Sequence, residues 1–520
     1  MSRSTAHIGH GASAYESPFD LRVVMLCSMA GTLMQALDST IANVALPYMQ
    51  GNLSASRDQI TWVLTSYIVA SAIMTAPVGW IAARFGKKNF AIVSLAGFTI
   101  TSMLCGMAQN LDQIIFFRLL QGAFGAALSP LSQSMMLDLY PPEKRGQVMA
   151  IWGMGVMVGP ILGPTLGGYL TDVSSWRWVF YVNVPFGVAA VAGIWYCYKD
   201  TARDNTLKFD WSGFVILAIA LASFQLMLDR GTDKDWFGSQ EIILEAVIAG
   251  LCAYLFLVHL FTAKRPFIPP EIFKDRNLVS SLLMMFIVGS LLLASSALLP
   301  PYLQGLGGYS VTETGLLMSP RGLGTMASMM IAGRLLMKVD ARWLMMFGAL
   351  IMSWSMWEMS HWTPDISAWT LVWVTVVQGF GMGFVFIPMN VFAFATLPAH
   401  FRTDGTAVMN LMRNLGMAIG VSVTTTFLAS SIQTNHAQIA EHVSPFNRAL
   451  AVNAPSMMWN PQLPFGLGQL NAIVNDQASI IAYANDFLLM FFVSLPVLLV
   501  IMLMKKPASK PTPDQIEIME

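Results

Sequence analysis

The chain carries little charge for its length. Of its 520 residues 11% are charged, 29 basic and 29 acidic, so the formal net charge is zero. Soluble domains carry about twice this charged fraction, and a chain without net charge has no overall field that would recruit nucleic acid. Cysteine is also scarce. The four cysteines, at positions 27, 105, 197 and 252, lie in apolar stretches, so no disulfide framework is expected.

Signatures of energy-coupled or metal-dependent enzymes are missing as well. The sequence contains no Gly-x4-Gly-Lys-[Ser/Thr] loop for nucleotide phosphates. Its seven histidines form neither a His-Glu-x-x-His motif nor a Cys/His cluster. The first twenty residues lack the apolar region of a signal peptide, so no cleavage is expected. We therefore predict no cofactor, no metal and no enzymatic activity. Energy for any activity must come from an ion gradient, from the substrate's own gradient or from another subunit.

Apolar sequence dominates what is present. Hydrophobic residues make up 55% of the chain, and the mean hydropathy is +0.58. Apolar runs of 18 or more residues are typical of membrane-spanning helices. Roughly fourteen such runs begin near positions 21, 59, 90, 113, 146, 178, 211, 241, 278, 312, 343, 369, 404 and 485. The pattern predicts an all-α polytopic membrane protein.

The distribution of basic residues predicts the orientation. With the N-terminus inside, roughly 21 of the 29 Lys and Arg residues fall in inside loops and tails. Positive charge is enriched in cytoplasmic loops. Both termini are therefore predicted to be cytoplasmic.

Two parts of the sequence resemble each other. Matched residues lie 254 to 260 positions apart: Gly79 with Gly333, Gln121 with Gln378, Pro130 with Pro388, Arg145 with Arg402, and Val148 with Val408. Repeated halves with a binding site between them are typical of transporters. The predicted segments are a cytoplasmic tail 1–20, a six-helix half 21–200, two additional helices 201–265, a six-helix half 266–504, and a cytoplasmic tail 505–520.

The second half contains an unusually long outside connection. We predict a periplasmic loop over 431–484, with an apolar-patterned stretch at 470–481 as a candidate interfacial helix. Loops of this length are usually functional or disordered. Docking of a partner protein is the functional interpretation.

Glycines recur at every fourth position in the fifth apolar run. This ladder comprises Gly155, Gly159, Gly163 and Gly167, followed by Gly168 and interrupted by Pro160 and Pro164. On a helix these glycines form one groove into which a neighbouring backbone fits closely. The prolines remove backbone donors and bend the helix. The alternative is an ordinary packing seam of small residues.

Ionisable residues inside the apolar runs are the main functional candidates, because a charge in the bilayer is costly. At 1.5 Å per residue, Asp38 lies about 13 Å and Arg118 about 8 Å inside the outer ends of their helices. The two side chains are therefore predicted to pair. The pair is either a structural salt bridge or a proton-coupling site in which Asp38 titrates and Arg118 stays charged.

Further polar residues are candidates for a substrate cavity between the halves. They are Gln35, Asn43, Gln121, Arg321, Asn410 and Arg413. For Arg321 and Arg413 a structural role against backbone carbonyls is the alternative. Asp138 and Glu245 lie nearer helix ends, where snorkelling or loop contacts are expected.

Several motifs resemble those of the drug:proton antiporters of the major facilitator superfamily, in the fourteen-helix branch. The glycine ladder resembles the antiporter motif of the fifth helix. The cytoplasmic loop motif keeps Gly79, Arg84, Gly86 and Lys87, with Ala83 where the family usually has aspartate. Similar segments are Leu37–Pro47, Arg118–Gly122 and Trp176–Gly187.

Within that branch the sequence resembles EmrB-type multidrug exporters, and the segments that carry the resemblance are Leu228–Gly231, Asp235–Phe237, His436–Gln438, Val443–Asn447 and the long outside loop. The resemblance implies alternating access, proton-coupled export of hydrophobic or amphipathic toxic compounds, and residence in a bacterial inner membrane. It also implies an EmrA-type periplasmic adaptor and a TolC-type outer-membrane channel as partners. The alternative is an exporter of one metabolite, such as a fatty acid, a siderophore or a signalling molecule. A membrane receptor or scaffold that transports nothing is the third hypothesis.

Overall fold

The computed structural model describes residues 18–199, 203, 206–232, 234–264, 266–443 and 464–504, and all regular elements in these ranges are helical. We number fourteen helical units, called rods below, in chain order; ten are single helices and four consist of two consecutive helices. They are α1 (Pro18–Asn52), α2 (Arg57–Thr75 and Val78–Phe85), α3 (Lys87–Met107), α4 (Leu111–Gly125 and Leu128–Leu139), α5 (Pro142–Val173), α6 (Trp178–Tyr181 and Asn183–Cys197), α7 (Trp211–Arg230), α8 (Gln240–Thr262), α9 (Arg276–Gly305), α10 (Val311–Leu335), α11 (Ala341–Met359), α12 (Ala368–Ala393), α13 (Arg402–Ala440) and α14 (Pro464–Ser494 and Pro496–Leu503).

Most of these rods have the length and apolarity of membrane spans. In the described ranges ten helical segments meet both requirements, and α2 gives an eleventh if its two pieces, bent by 58°, are counted as one span. The remaining rods, α5, α10 and α11, are long but rich in glycine, serine or tryptophan. They pack against neighbouring helices: α5 against α1 and α10, α10 against α12, and α11 against α12 and α14.

The two halves meet at the face predicted to be cytoplasmic. There α5 of the first half lies against α10 of the second, backbone to backbone. A Cβ atom on Gly333 would lie 2.9 Å from the carbonyl oxygen of Gly146. Nearby, the buried Trp152 stacks on Phe386 at 6.3 Å and donates a hydrogen bond of 3.0 Å to Ser132. This face is therefore closed in the structure.

The two additional helices form a hairpin beside α2 and α13. Its inner end is held by Asp210, which caps α7 and lies 2.8 Å from the His259 ring. Its outer end contacts both halves. Thr65 of α2 donates to Asp229, while Ser422 of α13 donates to the Leu228 carbonyl at 3.2 Å. The hairpin thus connects the halves on the face opposite their main contact.

The predicted periplasmic loop 431–484 is wrong over most of its length. α13 continues to Ala440 and α14 already begins at Pro464, while residues 444–463 lie outside the described ranges. The predicted interfacial helix at 470–481 is the outer part of α14. It packs against α13 through a stripe of buried residues at four-residue spacing: Leu470, Val474, Ala478 and Ala482. One apolar stripe is enough to hold two helices together beyond the membrane, although it gives little hydropathy signal.

Candidate functional site

Asp38 and Arg118 form a buried ion pair between α1 and α4. Asp38 Oδ2 lies 2.5 Å from Arg118 Nη1, and both side chains are at most 1% exposed. The estimated depths had predicted this pairing. Removing either partner would leave the other charge buried and uncompensated, which is strongly destabilising.

The other contacts of Arg118 fix the position of its guanidinium group. Nε donates to the Val63 carbonyl of α2 at 3.0 Å, and Nη1 also donates to Gln121 at 3.0 Å. The Tyr67 ring lies 4.3 Å from the guanidinium carbon, close enough for a cation–π interaction. The cation is thereby held by α2 and α4 independently of Asp38.

Two amides complete the surroundings of Asp38. Gln121 Nε2 donates to Oδ1 at 2.9 Å, and Asn183 Nδ2 of α6 donates to the same oxygen at 3.4 Å. Asn183 also donates to Ser102 Oγ of α3 at 3.1 Å. All the groups that reach the carboxyl are donors, so it acts only as an acceptor, the role of the ionised form. Gln121 therefore belongs to this network, and Asn183 is a site residue that the sequence analysis did not select.

The glycine ladder brings α5 against the part of α1 that carries Asp38. A Cβ on Gly159 would lie 2.7 Å from Ala36 Cβ and 2.7 Å from the Leu37 nitrogen, whereas nothing lies within 4 Å of one on Gly168. Thr40 donates to the Gly159 carbonyl at 3.3 Å, facing the next ladder position, Gly163. The helix continues through Pro160 and Pro164. At the two ends of the ladder the neighbours are side chains: Cβ atoms on Gly155 and Gly167 would lie 2.8 Å from side-chain atoms of Met29 and Ile41.

A second polar cluster joins the halves at the inner face. Asp138 of α4 pairs with Lys87 at the start of α3 and with Arg402 of α13, the latter at 3.1 Å. Ser134 Oγ and Thr403 Oγ1 lie 2.9 Å apart across the same seam. Asp138 therefore makes one ion pair within the first half and one across to the second half, instead of the snorkelling or loop contacts expected.

The rest of the cytoplasmic loop motif surrounds this cluster. Gly79 lies against Asp404 of α13, with no room for a side chain. Gly86 has a φ of 85°, the left-handed region that favours glycine, at the sharp turn from α2 into α3. Arg84 is half-buried in the last turn of α2.

The remaining cavity candidates occupy different surroundings. Gln35 is half-buried on α1, whereas Asn43 is exposed and donates to its own helix at Ser39. Asn410 is buried in the seam, where it accepts from Ser129 at 3.1 Å. Arg321 and Arg413 belong to the second half. Arg321 is buried and donates to Ser295 at 2.9 Å and Ser296 at 3.2 Å, and Arg413 is half-buried where the α13 backbone meets Gly289 of α9.

Comparison with known proteins establishes the family. A sequence profile described as Major Facilitator Superfamily matches residues 28–421, well over half of the chain. The chain belongs to this superfamily. A solved structure of the proton:xylose symporter XylE covers 98% of this chain and 99% of its own, with a TM-score of 0.57 and 13% identity. At that identity it supports the fold alone, and it confirms the predicted fold class.

Curated relatives match over most of their length. The multidrug export protein EmrB of Escherichia coli (strain K12) is 38% identical over 428 residues, which cover 82% of this chain and 84% of that protein. The fatty acid resistance protein FarB of Neisseria gonorrhoeae is 33% identical over 484 residues, covering 91% and 94%. The predicted likeness to EmrB-type exporters is confirmed. The chain is a transporter and a multi-pass membrane protein.

Proposed function

We propose that this protein is a multidrug efflux transporter that exports hydrophobic or amphipathic toxic compounds in exchange for protons. In this proposal it resides in a bacterial inner membrane with both termini in the cytoplasm. Family membership and the multidrug exporters among its relatives support the transport class. The observation that carries the coupling is the buried Asp38–Arg118 pair, which is held by hydrogen bonds with residues of three helices, α2, α4 and α6.

Asp38 is the proton carrier and Arg118 its fixed partner. In the observed conformation the carboxyl group accepts hydrogen bonds from a guanidinium and two amides and is shielded from water. When the site opens outward, a proton from the periplasm neutralises Asp38 and removes the attraction between α1 and α4. Arg118 stays in place because Val63 and Tyr67 still hold it. The changed attraction between the two helices links protonation to the movement of the halves.

Opening towards the cytoplasm breaks the inner-face contacts of Asp138 with Arg402 and of Ser134 with Thr403. Asp38 then releases its proton inward, the ion pair forms again, and substrate enters between the halves. A proton moving inward across 100 mV provides about 2.3 kcal/mol for export. Gln35, Arg321, Asn410 and Arg413 are proposed to line the substrate path, whose polar groups orient a mainly apolar ligand.

Inside-out vesicles with an established proton gradient test the coupling. Adding a substrate dye such as ethidium should release accumulated protons, and Asp38→Asn should abolish this release. Asp112→Asn is the matched control, because Asp112 is an exposed acid at the start of α4. Dye-coupled proton release that survives in Asp38→Asn would refute the assignment.

Export of one metabolite is the second candidate function, favoured by the likeness to a fatty acid resistance protein. A deletion strain separates the two. Loss of resistance to several unrelated dyes and detergents supports multidrug export. Unchanged resistance together with accumulation of one fatty acid, siderophore or signalling molecule supports the narrow exporter.

The outer parts of α13 and α14 are the proposed docking platform for an EmrA-type adaptor and, through it, a TolC-type channel. The 39 residues of α13 span roughly 58 Å, whereas the apolar core of a bilayer is about 30 Å thick. Their outer parts are joined by His436, 2.9 Å from Asn471, and by Asn435, 3.4 Å from the Ala478 carbonyl. Co-purification with the adaptor should be lost when exposed residues of this helical pair are replaced, while purified protein still binds dye.

A further inference from the structure

A buried acid in the second half takes no part in the site described above. Asp486 lies on α14, is 0% exposed, and shares one face of the helix with Tyr483 and Met490, while its neighbour in sequence, Phe487, is also buried. At spacings of three and four residues these side chains point in the same direction. Asp486 therefore points into the packed interior of the second half.

Aromatic rings enclose this part of α14. The Phe487 ring lies 6.3 Å from Tyr302 of α9 and 6.1 Å from Trp362, which follows α11. The rings of Tyr302 and Tyr483 are 5.3 Å apart. The same cluster includes methionines and leucines of α9, α11 and α12. These aromatic and aliphatic side chains form an apolar cluster beside Asp486.

Neither carboxylate oxygen of Asp486 has a hydrogen-bond partner in the described part of the chain. No charged side chain in that part acts on it either. The titratable group beside it on its own helix is the phenol of Tyr483, whose ring lies 5.3 Å from that of Tyr302 of α9; both tyrosines are buried. The α11, α12 and α13 side chains of the cluster, Met352, Met356, Met359, Leu371, Val374 and Leu428, are apolar.

An ionised carboxylate in such surroundings is so unfavourable that the group binds a proton instead. Asp38 presents the opposite case, since a guanidinium and two amides all donate to it. In one conformation, therefore, the first half holds an acid that accepts from three donors, and the second half holds an acid without a hydrogen-bond partner among the described residues.

We propose that Asp486 is a second proton-binding site, which carries its proton while the inner face is closed and exchanges it during transport. The proposal rests on the proposed function, because exchange matters only if the protein is proton-coupled. Tyr302, Trp362 and Phe487 come from separate parts of the second half. A rearrangement of these parts admits water to the carboxyl and allows it to ionise.

Infrared difference spectroscopy of the full-length protein tests the proposal directly. A protonated carboxyl has a carbonyl stretch that is separate from the carboxylate bands. We expect such a band at neutral pH, its loss in Asp486→Asn, and its retention in Asp38→Asn and in Asp476→Asn. Asp476 is the matched control because it is exposed on the same helix. Asp486→Glu should shift the band, which keeps the test valid if the asparagine variant folds poorly.

Exchange is tested by adding ethidium, and separately by raising the pH, while the band is recorded. A wild-type band that decreases under either condition supports the proposal. A band unchanged in Asp486→Asn, or one that responds to neither ethidium nor pH, overturns it. These spectra need no gradient. Failure of dye-coupled proton release in wild-type vesicles would therefore count against the proposed function, whereas failure of the spectral test would count against Asp486 alone.

Discussion

The glycine ladder gives a graded prediction, because each position faces a different neighbour. At Gly159 an added methyl group would meet the backbone of α1, 2.7 Å from the Leu37 nitrogen and one residue from Asp38. At Gly155 it would meet only the terminal methyl of Met29, at 2.8 Å. At Gly168, on the same helix, there is open space. Substitution by alanine should therefore be strongly destabilising at Gly159, mildly destabilising at Gly155 and harmless at Gly168.

The expected magnitudes follow from two opposing effects. Replacing glycine by alanine inside a helix stabilises it by roughly 0.5–1 kcal/mol. Forcing an extra carbon into a packed seam costs about 1–3 kcal/mol when the neighbour is rigid. Gly168→Ala should thus be neutral or stabilising, and Gly159→Ala should be destabilising by up to about 2 kcal/mol. The displaced α1 also moves Asp38 away from Arg118, so dye-coupled proton release should fall even in protein that remains folded.

Thermal unfolding in detergent and proton release in vesicles, measured on the same preparations, check both parts. The unfolding temperature of Gly155→Ala should lie between those of the other two variants, since the Met29 side chain can change its rotamer. Equal stability and equal transport for Gly159→Ala and Gly168→Ala would refute the close approach of α5 to α1.

Two further predictions concern the inner face and the hairpin. Asp138→Asn removes ion pairs worth about 0.2–1 kcal/mol each. In this variant, a disulfide between cysteines placed at Ser134 and Thr403 should therefore form a few-fold more slowly. An unchanged rate of disulfide formation would contradict the role of Asp138 in holding the two halves together at the inner face. Outside the membrane, burial opposes ionisation of Asp210, but hydrogen bonds from the Gly213 backbone, His259 and Ser212 outweigh it and lower its pKa. The resulting stability is present above the unfolded pKa and lost as pH falls through the lower folded value. Asp210→Asn keeps the helix cap. Its melting temperature should thus be lower than that of the wild type at neutral pH, and the two melting temperatures should converge below about pH 4.

The central pairing was predictable because helical rise is constant. Counting residues from the outer ends placed Asp38 and Arg118 at similar depths, and Gln121 follows Arg118 by three residues on the same face. Depth does not tell in which direction a side chain points around the helix axis, and it is this direction that sets the other candidates apart from Asp38. Asn43 follows Asp38 by five residues, which turns it by about 140°, onto a face where it is exposed. Asn183 was seen only as part of a motif, since a lone asparagine gives no indication of what it contacts.

The long outer helices were missed because hydropathy detects only the part of a helix that lies in lipid. The outer parts of α13 and α14 contain many polar residues, so the sequence there predicts a loop. Asp486 escaped notice for the opposite reason. One acid in a strongly apolar run changes the average hydropathy little, and its lack of a partner depends on three other helices.

α5 touches two places that must communicate during transport. Gly146 meets Gly333 where the halves adjoin, and Gly159, thirteen residues further on, meets α1 beside the acid. These contacts are roughly 20 Å apart along one continuous helix. A stiff helix of this kind conveys displacement without intermediate side chains, so we expect movement at the seam to reach Asp38, the proposed proton carrier. A compound wedged between α5 and α10 would consequently arrest proton exchange from a distance, without competing for the carboxyl group or for the exported drug.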